Sequence, residues 1–400
     1  MPKSDPAVPT SSVDISTDAF SRNSVRGYED IRKEGPVVWQ APSRGYLITG
    51  FGDTAAALRN KDVRAADLSE AWYALKDKLD RDYDGALRLF SFMPFVMEGT
   101  RHLQIRRAMA VAVAPFAGGH TSYAAQIDRR IRVLREKGNF DLVPDFASHL
   151  LFDIMCDLLE IPVDERSHLR PLATMSWVFE ATTTARERDE ASRQISVCID
   201  FLTRHVANVM EKSQEGFIGA TFRALPPDEN DKNGAVATMV CVMLVMGNNA
   251  MTTCIAGGVH KLLTQSEPVP QSDWARASDD VIRYVAPVDF LNRFADKDMV
   301  IGGCPMKAND RIIISPMSAN HDPAEFGETA GSITVRQEAD VGLTFGAGGH
   351  ICVGNRMSRT IIKMAFAALA ELPKLRLAGE PVYGRGKVVR TYSSLPIQLQ

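Results

Sequence analysis

The longest apolar stretch of the chain runs from Ala235 to Leu263. Before His260, five polar side chains interrupt it: Thr238, Asn248, Asn249, Thr252 and Thr253. A helix that carries apolar residues on every side is stable only where other protein surrounds it. The stretch therefore predicts one long helix that runs through the core, with the rest of the chain packed around it.

The composition fits a chain with a large core and no internal linker. The 400 residues are 45% hydrophobic, and although this length would allow two or three domains, no linker-like segment divides it. We predict a disordered leader over residues 1–17 and a single domain over residues 18–400. The leader lacks the plan of a secretory signal, which favours a cytoplasmic protein without a membrane anchor. A net charge of −3 gives no overall attraction to nucleic acids or membranes.

Six cysteines are scattered without C-x-x-C pairs, so neither a disulfide framework nor a zinc site is indicated. One of them, Cys352, lies in the segment Phe345–Gly354, which reads Phe-Gly-Ala-Gly-Gly-His-Ile-Cys-Val-Gly. Gly346, Gly348 and Gly349 allow positive φ and a close approach to a flat partner. Backbone N–H groups at the start of the following helix stabilise a thiolate, so we expect a lowered pKa for Cys352.

This segment matches F-G-x-G-x-H-x-C-x-G, the signature of heme-thiolate enzymes, at every fixed position, and the chain resembles a cytochrome P450. The resemblance implies a mostly α-helical bundle around a buried heme b (iron protoporphyrin IX), with small β-sheets. It implies that Cys352 is the axial iron ligand and that Phe345 packs beneath the heme. It also implies that His350 binds a propionate and that Gly354 lets the next helix begin against the heme.

Three further residues match positions that bind the heme propionates in the family. His102 and Arg106 are four residues apart on one helix face and match the family's H-x-x-x-R. Arg293 lies in a strand-like stretch where the family has a propionate-binding arginine. A solvated basic face is the alternative reading of His102 and Arg106.

The long apolar helix departs from the family at its oxygen-activating segment. One register places Met246–Met251 opposite A-G-x-(D/E)-T-T, so that Asn249 replaces the acid and Ala250 replaces the alcohol. A two-residue slip would instead bring Thr252 or Thr253 into that role. We prefer the first register, and all four residues remain candidates for the catalytic positions.

Other segments match the family less closely. Asp280 and Arg283 stand where the family has E-x-x-R, and pairing remains plausible with the shorter aspartate, either directly or with the help of a water or a shifted backbone. The loop from Phe326 to Leu343 lacks the usual Pro-Arg-Phe block. Residues 35–50 predict a β-hairpin, whereas residues 63–97 show no clean period and are interpreted as irregular.

The resemblance implies an oxidoreductase that oxidises a small, largely apolar substrate of specialised metabolism. It would use dioxygen and electrons from a ferredoxin with its reductase, or from a flavin-type donor. Loss of the acid and the alcohol leaves a second hypothesis: an atypical heme-thiolate enzyme that is peroxide-driven, resembles nitric oxide reductases, or catalyses cyclisation or isomerisation. A heme-binding protein without catalysis is the third.

Overall fold

The structure is a computed structural model that describes residues 8–179, 183–338, 340–386 and 388–400. Within these ranges the α-helices are α1 Asp18–Arg22, α2 Ser24–Arg32, α3 Phe51–Arg59, α4 Ser69–Leu79, α5 Asp84–Phe90, α6 Gly99–Val113, α7 Thr121–Lys137, α8 Ser148–Leu158, α9 Ala185–Lys212, α10 Gly216–Ala224, α11 Lys232–Thr264, α12 Ser278–Val285, α13 Pro316–Asn320, α14 Pro323–Phe326 and α15 Asn355–Ala370. Shorter 3₁₀ or π turns lie at Pro94–Val96, Ala114–Phe116, Val143–Ala147, Arg166–Phe179, Gln271–Asp273, Gly327–Gly331 and Gly348–His350.

The strands are short and form small sheets, as the resemblance implied. They are β1 Thr10–Ser11, β2 Val37–Gln40, β3 Gly45–Ile48, β4 Val63–Ala65, β5 Asn139–Asp141, β6 Leu291–Ala295, β7 Met299–Ile301, β8 Cys304–Met306, β9 Arg311–Ile314, β10 Leu375–Leu377, β11 Val382–Tyr383, β12 Tyr392–Ser394 and β13 Pro396–Leu399. One sheet has the order β1-β2-β3-β9-β6-β4, a second has β10-β13-β5, and β7-β8 and β11-β12 form two-stranded sheets. The mostly α-helical fold is confirmed.

Helix α11 is the core helix that its sequence predicted. Asp231 caps its start, since the Asp231 side chain accepts a hydrogen bond of 2.9 Å from the Gly234 N–H. By length and composition α11 alone among the described helices could cross a membrane, but 72% of its most apolar window is buried inside the protein. The apolar character of α11 is thus accounted for by α8, α9, α12 and α15, which pack around it.

The predicted leader is too long. From residue 8 onwards the chain packs on the body of the protein: β1 pairs in parallel with β2, joining Thr10 to Trp39, and Ile15 is 1% exposed. Apolar residues such as Ile15 fill a small core cluster with α2 and the first sheet, which fixes this segment. Residues 1–7 lie outside the described residues.

Two regions between the N-terminus and α6 test the local predictions. The hairpin of residues 35–50 is confirmed, with β2 antiparallel to β3. The irregular reading of residues 63–97 is wrong, because this segment contains β4, α4 and α5. Its aromatic residues gave no helical period because they pack on each other, as Trp72 does on Tyr83 and Phe90.

Candidate functional site

The glycine-rich segment folds into a tight loop ahead of α15. Gly346 and Gly348 have φ of 70° and 67°, and a Cβ on Gly348 would lie 2.5 Å from the Leu58 carbonyl oxygen. Glycine is therefore required at Gly348 by both conformation and space. Gly349 does not share the positive φ that its sequence suggested, and nothing lies within 4 Å of a Cβ built there.

Cys352 is held at the end of this loop by backbone hydrogen bonds. Its N–H donates to the Phe345 carbonyl at 2.8 Å, and its sulfur accepts from the N–H groups of Gly354 and Asn355. Of the six cysteines, Cys352 alone is exposed, yet surrounding protein desolvates it. Burial raises the pKa of the Cys352 thiol, whereas these N–H groups and the Arg106 charge oppose the rise. The expected lowering of this pKa is therefore wrong for the protein by itself.

Four basic residues from three separate elements meet beside this loop: His102 and Arg106 from α6, Arg293 from β6, and His350. We call them the basic cluster. The rings of His102 and His350 stack with centroids 4.4 Å apart and an interplanar angle of 27°. The charge of Arg106 acts on both His102 and Cys352, so this side chain lies near both of them. The solvated basic face is thus excluded for His102, which is 4% exposed.

The basic cluster has unused capacity for a bound anion. His102 Nε2 is buried without a hydrogen-bond partner, and Arg293 is 5% exposed. Among the described residues, the only hydrogen bond of the Arg293 guanidinium goes to the Asn292 carbonyl, at 3.0 Å. Buried guanidinium and imidazole groups are costly without acceptors, and a carboxylate is the acceptor that fits them. The donor set therefore suits the propionates of a heme.

Helix α11 carries one stripe of partly accessible residues in its otherwise buried middle. They are Met243, Met246, Gly247, Asn249 and Ala250, and we call them the open face. The residues that flank them are buried, so partial exposure in the middle of a core helix marks an internal cavity. The residues of the open face are spaced mainly three and four positions apart, which places them on one side of the helix.

Other polar residues of α11 bind backbone groups outside the open face. Asn248 Nδ2 donates to the carbonyls of Ser148 and Ala173, both at 3.1 Å. The Thr252 hydroxyl donates to the Ala147 and Asn248 carbonyls at 3.3 and 2.8 Å. The Thr253 hydroxyl donates to the Arg390 carbonyl at 2.6 Å. The hydroxyls of Thr252 and Thr253 are thus used by backbone carbonyls, whereas Asn249 and Ala250 are partly accessible on the open face.

We compared the sequence and the fold of this chain with those of known proteins. A sequence model of the family "Cytochrome P450" matches residues 279–372. The chain is 23% identical to 6-deoxyerythronolide B hydroxylase of Saccharopolyspora erythraea, over 96% of this chain and 98% of that one. It is 24% identical to the polyketide biosynthesis cytochrome P450 PksS of Bacillus subtilis, over 88% and 89%. The crystal structure of CalO2 superposes with a TM-score of 0.86 at 21% identity, covering 97% of this chain and 99% of that one.

The family match over residues 279–372, the curated relatives and the solved structures together support a bacterial-type cytochrome P450. These relatives support an oxidoreductase, and the family implies a heme-iron cofactor. Among the described residues, the buried His102 Nε2 without a hydrogen-bond partner and the accessible Cys352 thiol fit that group.

This P450 fixes the region beneath its cysteine loop through an aspartate. Arg283 Nε donates directly to Asp280 Oδ1 at 2.5 Å, so neither a water nor a backbone shift is needed to join them. Arg336 Nε donates to the same oxygen at 2.5 Å, and the Thr334 N–H donates to Asp280 Oδ2 at 2.7 Å. Sequence reasoning missed Arg336, because the loop from Phe326 to Leu343 lacks the family's Pro-Arg-Phe block. The presence of an arginine in that loop was the one signal that could have indicated this contact.

Proposed function

We propose that this P450 is a monooxygenase that binds heme b and oxidises a small, largely apolar substrate of specialised metabolism. The observation that carries the proposal is the accessible Cys352 thiol at the end of the glycine-rich loop, which the charge of Arg106 from the basic cluster reaches. The partly accessible open face of α11 supplies candidate substrate contacts.

The residues that would hold the heme come from the loop, α6 and β6. Cys352 would supply the thiolate ligand, Phe345 would pack against the ring, and Gly354 would let α15 begin close to it. The basic cluster would bind the two propionates by charge-assisted hydrogen bonds. When bound, a thiolate-ligated heme supplies dioxygen activation, because the thiolate favours cleavage of the O–O bond.

The open face sets the character of the substrate. Met243 and Met246 present flexible apolar side chains that adapt to irregular shapes. Asn249 adds one amide that can both donate and accept a hydrogen bond. The names of two relatives, a 6-deoxyerythronolide B hydroxylase and a polyketide biosynthesis P450, support a substrate from specialised metabolism. We therefore place a mostly apolar molecule with at least one polar group beside Asn249.

A second candidate function follows from what the open face lacks. Neither Asn249 nor Ala250 can release a proton near neutral pH, and the hydroxyls of Thr252 and Thr253 are occupied by backbone carbonyls. A peroxide-driven enzyme needs no such proton delivery to dioxygen. Comparing product formation with hydrogen peroxide against product formation with ferredoxin and its reductase separates the two functions, using a panel of macrolactones and fatty acids as test substrates.

The axial role of Cys352 is tested by the substitution Cys352→Ser. We expect the ferrous carbonyl complex to lose the red-shifted Soret band that a thiolate ligand produces, because a serine hydroxyl does not replace thiolate donation. The measurement is the absorption spectrum of the reduced, carbon monoxide-treated protein.

Cys198→Ser is the matched control for this variant. Cys198 is buried between α9 and the turn that follows α8, and its sulfur donates to the His168 carbonyl, a bond that serine keeps. The control should retain the red-shifted band. A Cys352→Ser protein with an unchanged band would overturn the assignment and the proposed function with it.

Electrons would come from a ferredoxin or a flavin-type protein that docks near the cysteine loop. Arg107, Arg356 and Lys363 are exposed on α6 and α15, where an acidic partner could pair with them. Association steered by exposed charges weakens with salt. We predict that the rate of reduction by an added ferredoxin falls as ionic strength rises, measured by stopped-flow absorbance; a rate independent of salt would exclude this docking mode.

A further inference from the structure

Glu98 occupies the residue position that precedes α6, but it does not cap that helix. Its side chain makes no hydrogen bond to the first turn. Instead Glu98 Oε1 accepts from the Ala65 N–H of β4 at 2.7 Å. The two carboxylate oxygens also lie 3.1 and 3.3 Å from His350 Nε2. Glu98 therefore ties α6, β4 and the cysteine loop together at the edge of the basic cluster.

The carboxylate acts on the charged groups around it. Burial lowers the pKa of both His102 and His350, and the nearby Glu98 charge opposes that lowering. Burial also lowers the pKa of Arg293, again opposed by Glu98. The same residue thus faces three members of the basic cluster, while its side chain keeps 47% of its surface exposed.

By distance alone, Glu98, His102 and His350 could also hold a metal ion, since one ligand atom from each lies within 4.8 Å of the others. The surrounding charges argue against a cation there. Arg293 acts on His350 and Arg106 acts on His102, both with positive charge. A site that already contains two guanidinium groups binds anions in preference to cations.

We propose that Glu98 is a positioning residue that fixes His350 within the basic cluster and places a carboxylate beside the bound heme. The inference rests on the heme binding proposed above. Reduction of the iron adds an electron, and a nearby carboxylate makes that addition less favourable. Glu98 therefore lowers the reduction potential of the heme, and it repels the propionates that share its cationic partners.

The substitution Glu98→Gln separates charge from position. A glutamine retains an oxygen that can accept from the Ala65 N–H and from His350, but it removes the negative charge. In the heme-loaded protein we expect a more positive midpoint potential by spectroelectrochemical titration. We also expect heme transfer to apomyoglobin to slow severalfold, because one carboxylate no longer repels the propionates.

Two further variants make the result decisive. Glu98→Asp keeps the charge and should leave the potential near that of the parent. Glu229→Gln is the matched control. Glu229 pairs with Arg101 of α6, which lies outside the basic cluster. A Glu98→Gln potential equal to or below the parent's, or an equal shift in Glu98→Asp, would overturn the inference. Purified protein without a heme Soret band would instead refute the proposed function.

Discussion

The proposed heme site has a cysteine side, which lies around the loop that carries Cys352, and a helix side, which is the open face of α11. The two sides hold their polar groups in opposite ways. Beneath the cysteine loop, the buried Asp280 accepts hydrogen bonds from Arg283, Arg336 and Thr334. Arg283 is fully buried and also donates to the carbonyls of Asn320, Ala330 and Ser332. On the helix side, the open face of α11 carries no charged residue.

The difference separates what the fold supplies from what a substrate must supply. Both partners of each hydrogen bond in the Asp280 network are protein groups, so this network forms before any ligand binds. The open face offers one amide, and the reaction needs a proton source. We infer that the cysteine side is preorganised, whereas proton delivery on the helix side depends on the substrate or on ordered water.

The largest expected effect on heme binding concerns Arg293, a buried member of the basic cluster. Arg293→Leu removes a buried cationic donor from the propionates, and hydrogen bonds to charged groups contribute about 1.5–3 kcal/mol. We expect heme affinity to fall about tenfold to a hundredfold, since 1.4 kcal/mol corresponds to a factor of ten. The measurement is heme content after purification, followed by heme titration of the stripped protein.

Arg64→Leu provides the control on the neighbouring strand. Arg64 lies in β4 opposite Phe294 of β6, where it pairs with Asp296 at 3.1 Å. Its loss should leave heme affinity within about twofold of the parent, because exposed ion pairs contribute at most about 1 kcal/mol. Unchanged heme content in Arg293→Leu would remove Arg293 from the site and weaken the case for a preorganised cysteine side.

A different effect, on stability rather than on heme binding, concerns Asp289, which lies beyond α12. Asp289 is fully buried, and among the described residues neither carboxylate oxygen has a hydrogen-bond partner. Burial raises its pKa from 3.8 to about 7, opposed by the Arg390 charge. The folded state therefore holds a proton that the unfolded state releases, so stability is lost as pH rises from about 4 to about 7.

Asp289→Asn should remove this pH dependence. The neutral amide has no proton to lose, so the variant should exceed the parent in unfolding free energy at pH 8 by as much as about 4 kcal/mol, three pKa units at about 1.4 kcal/mol each. The advantage should shrink at pH 5.5. Denaturant unfolding at both pH values measures it, with the exposed Asp128→Asn as control. A parent whose stability does not fall between these pH values would contradict the argument.

The sequence predicted the parts of the site that depend on local order. The Phe345–Gly354 loop, the helix with His102 and Arg106, and α11 each follow from residues within one segment. Glycine conformation, helical spacing and apolar periodicity are properties of short stretches. The structure reproduces the last two and the positive φ of Gly346 and Gly348, but not that of Gly349. Local patterns do not decide how α11 aligns with the family's oxygen-activating segment. That alignment depends on which backbone carbonyls accept from Thr252 and Thr253, and these carbonyls lie in other segments.

The parts that the sequence did not predict are contacts between distant segments. Arg336 reaches Asp280 across 56 positions, and Glu98 reaches His350 across 252. Neither has a spacing that marks the partner, since the distance in space is set by the packing of whole helices. The leader was misread for the same reason, because its pairing with β2 depends on a strand about 30 residues away.

The smallest expected effect concerns proton delivery on the open face itself. In the preferred register Asn249 stands where the family has an acid and Ala250 where it has an alcohol. Asn249→Ala removes the only polar side chain of the open face. We expect the activation free energy for proton delivery that leads to product, and not to released peroxide, to rise by about 1 kcal/mol. Ala250→Thr adds a hydroxyl to the cavity and should reduce the release of peroxide.

Peroxide released per reduced pyridine nucleotide, with a ferredoxin and its reductase as donors, measures both changes without a known substrate. A loss of about 1 kcal/mol corresponds to roughly a fivefold change in the ratio of productive to leaking turnover. Thr252→Val is the matched control: its hydroxyl donates to the Ala147 and Asn248 carbonyls, so its loss should reduce stability but not change leakage. If leakage changed in Thr252→Val and not in the other two variants, Thr252 would be the residue that acts on oxygen. The helix side would then be preorganised as the cysteine side is, and the contrast between them would fail.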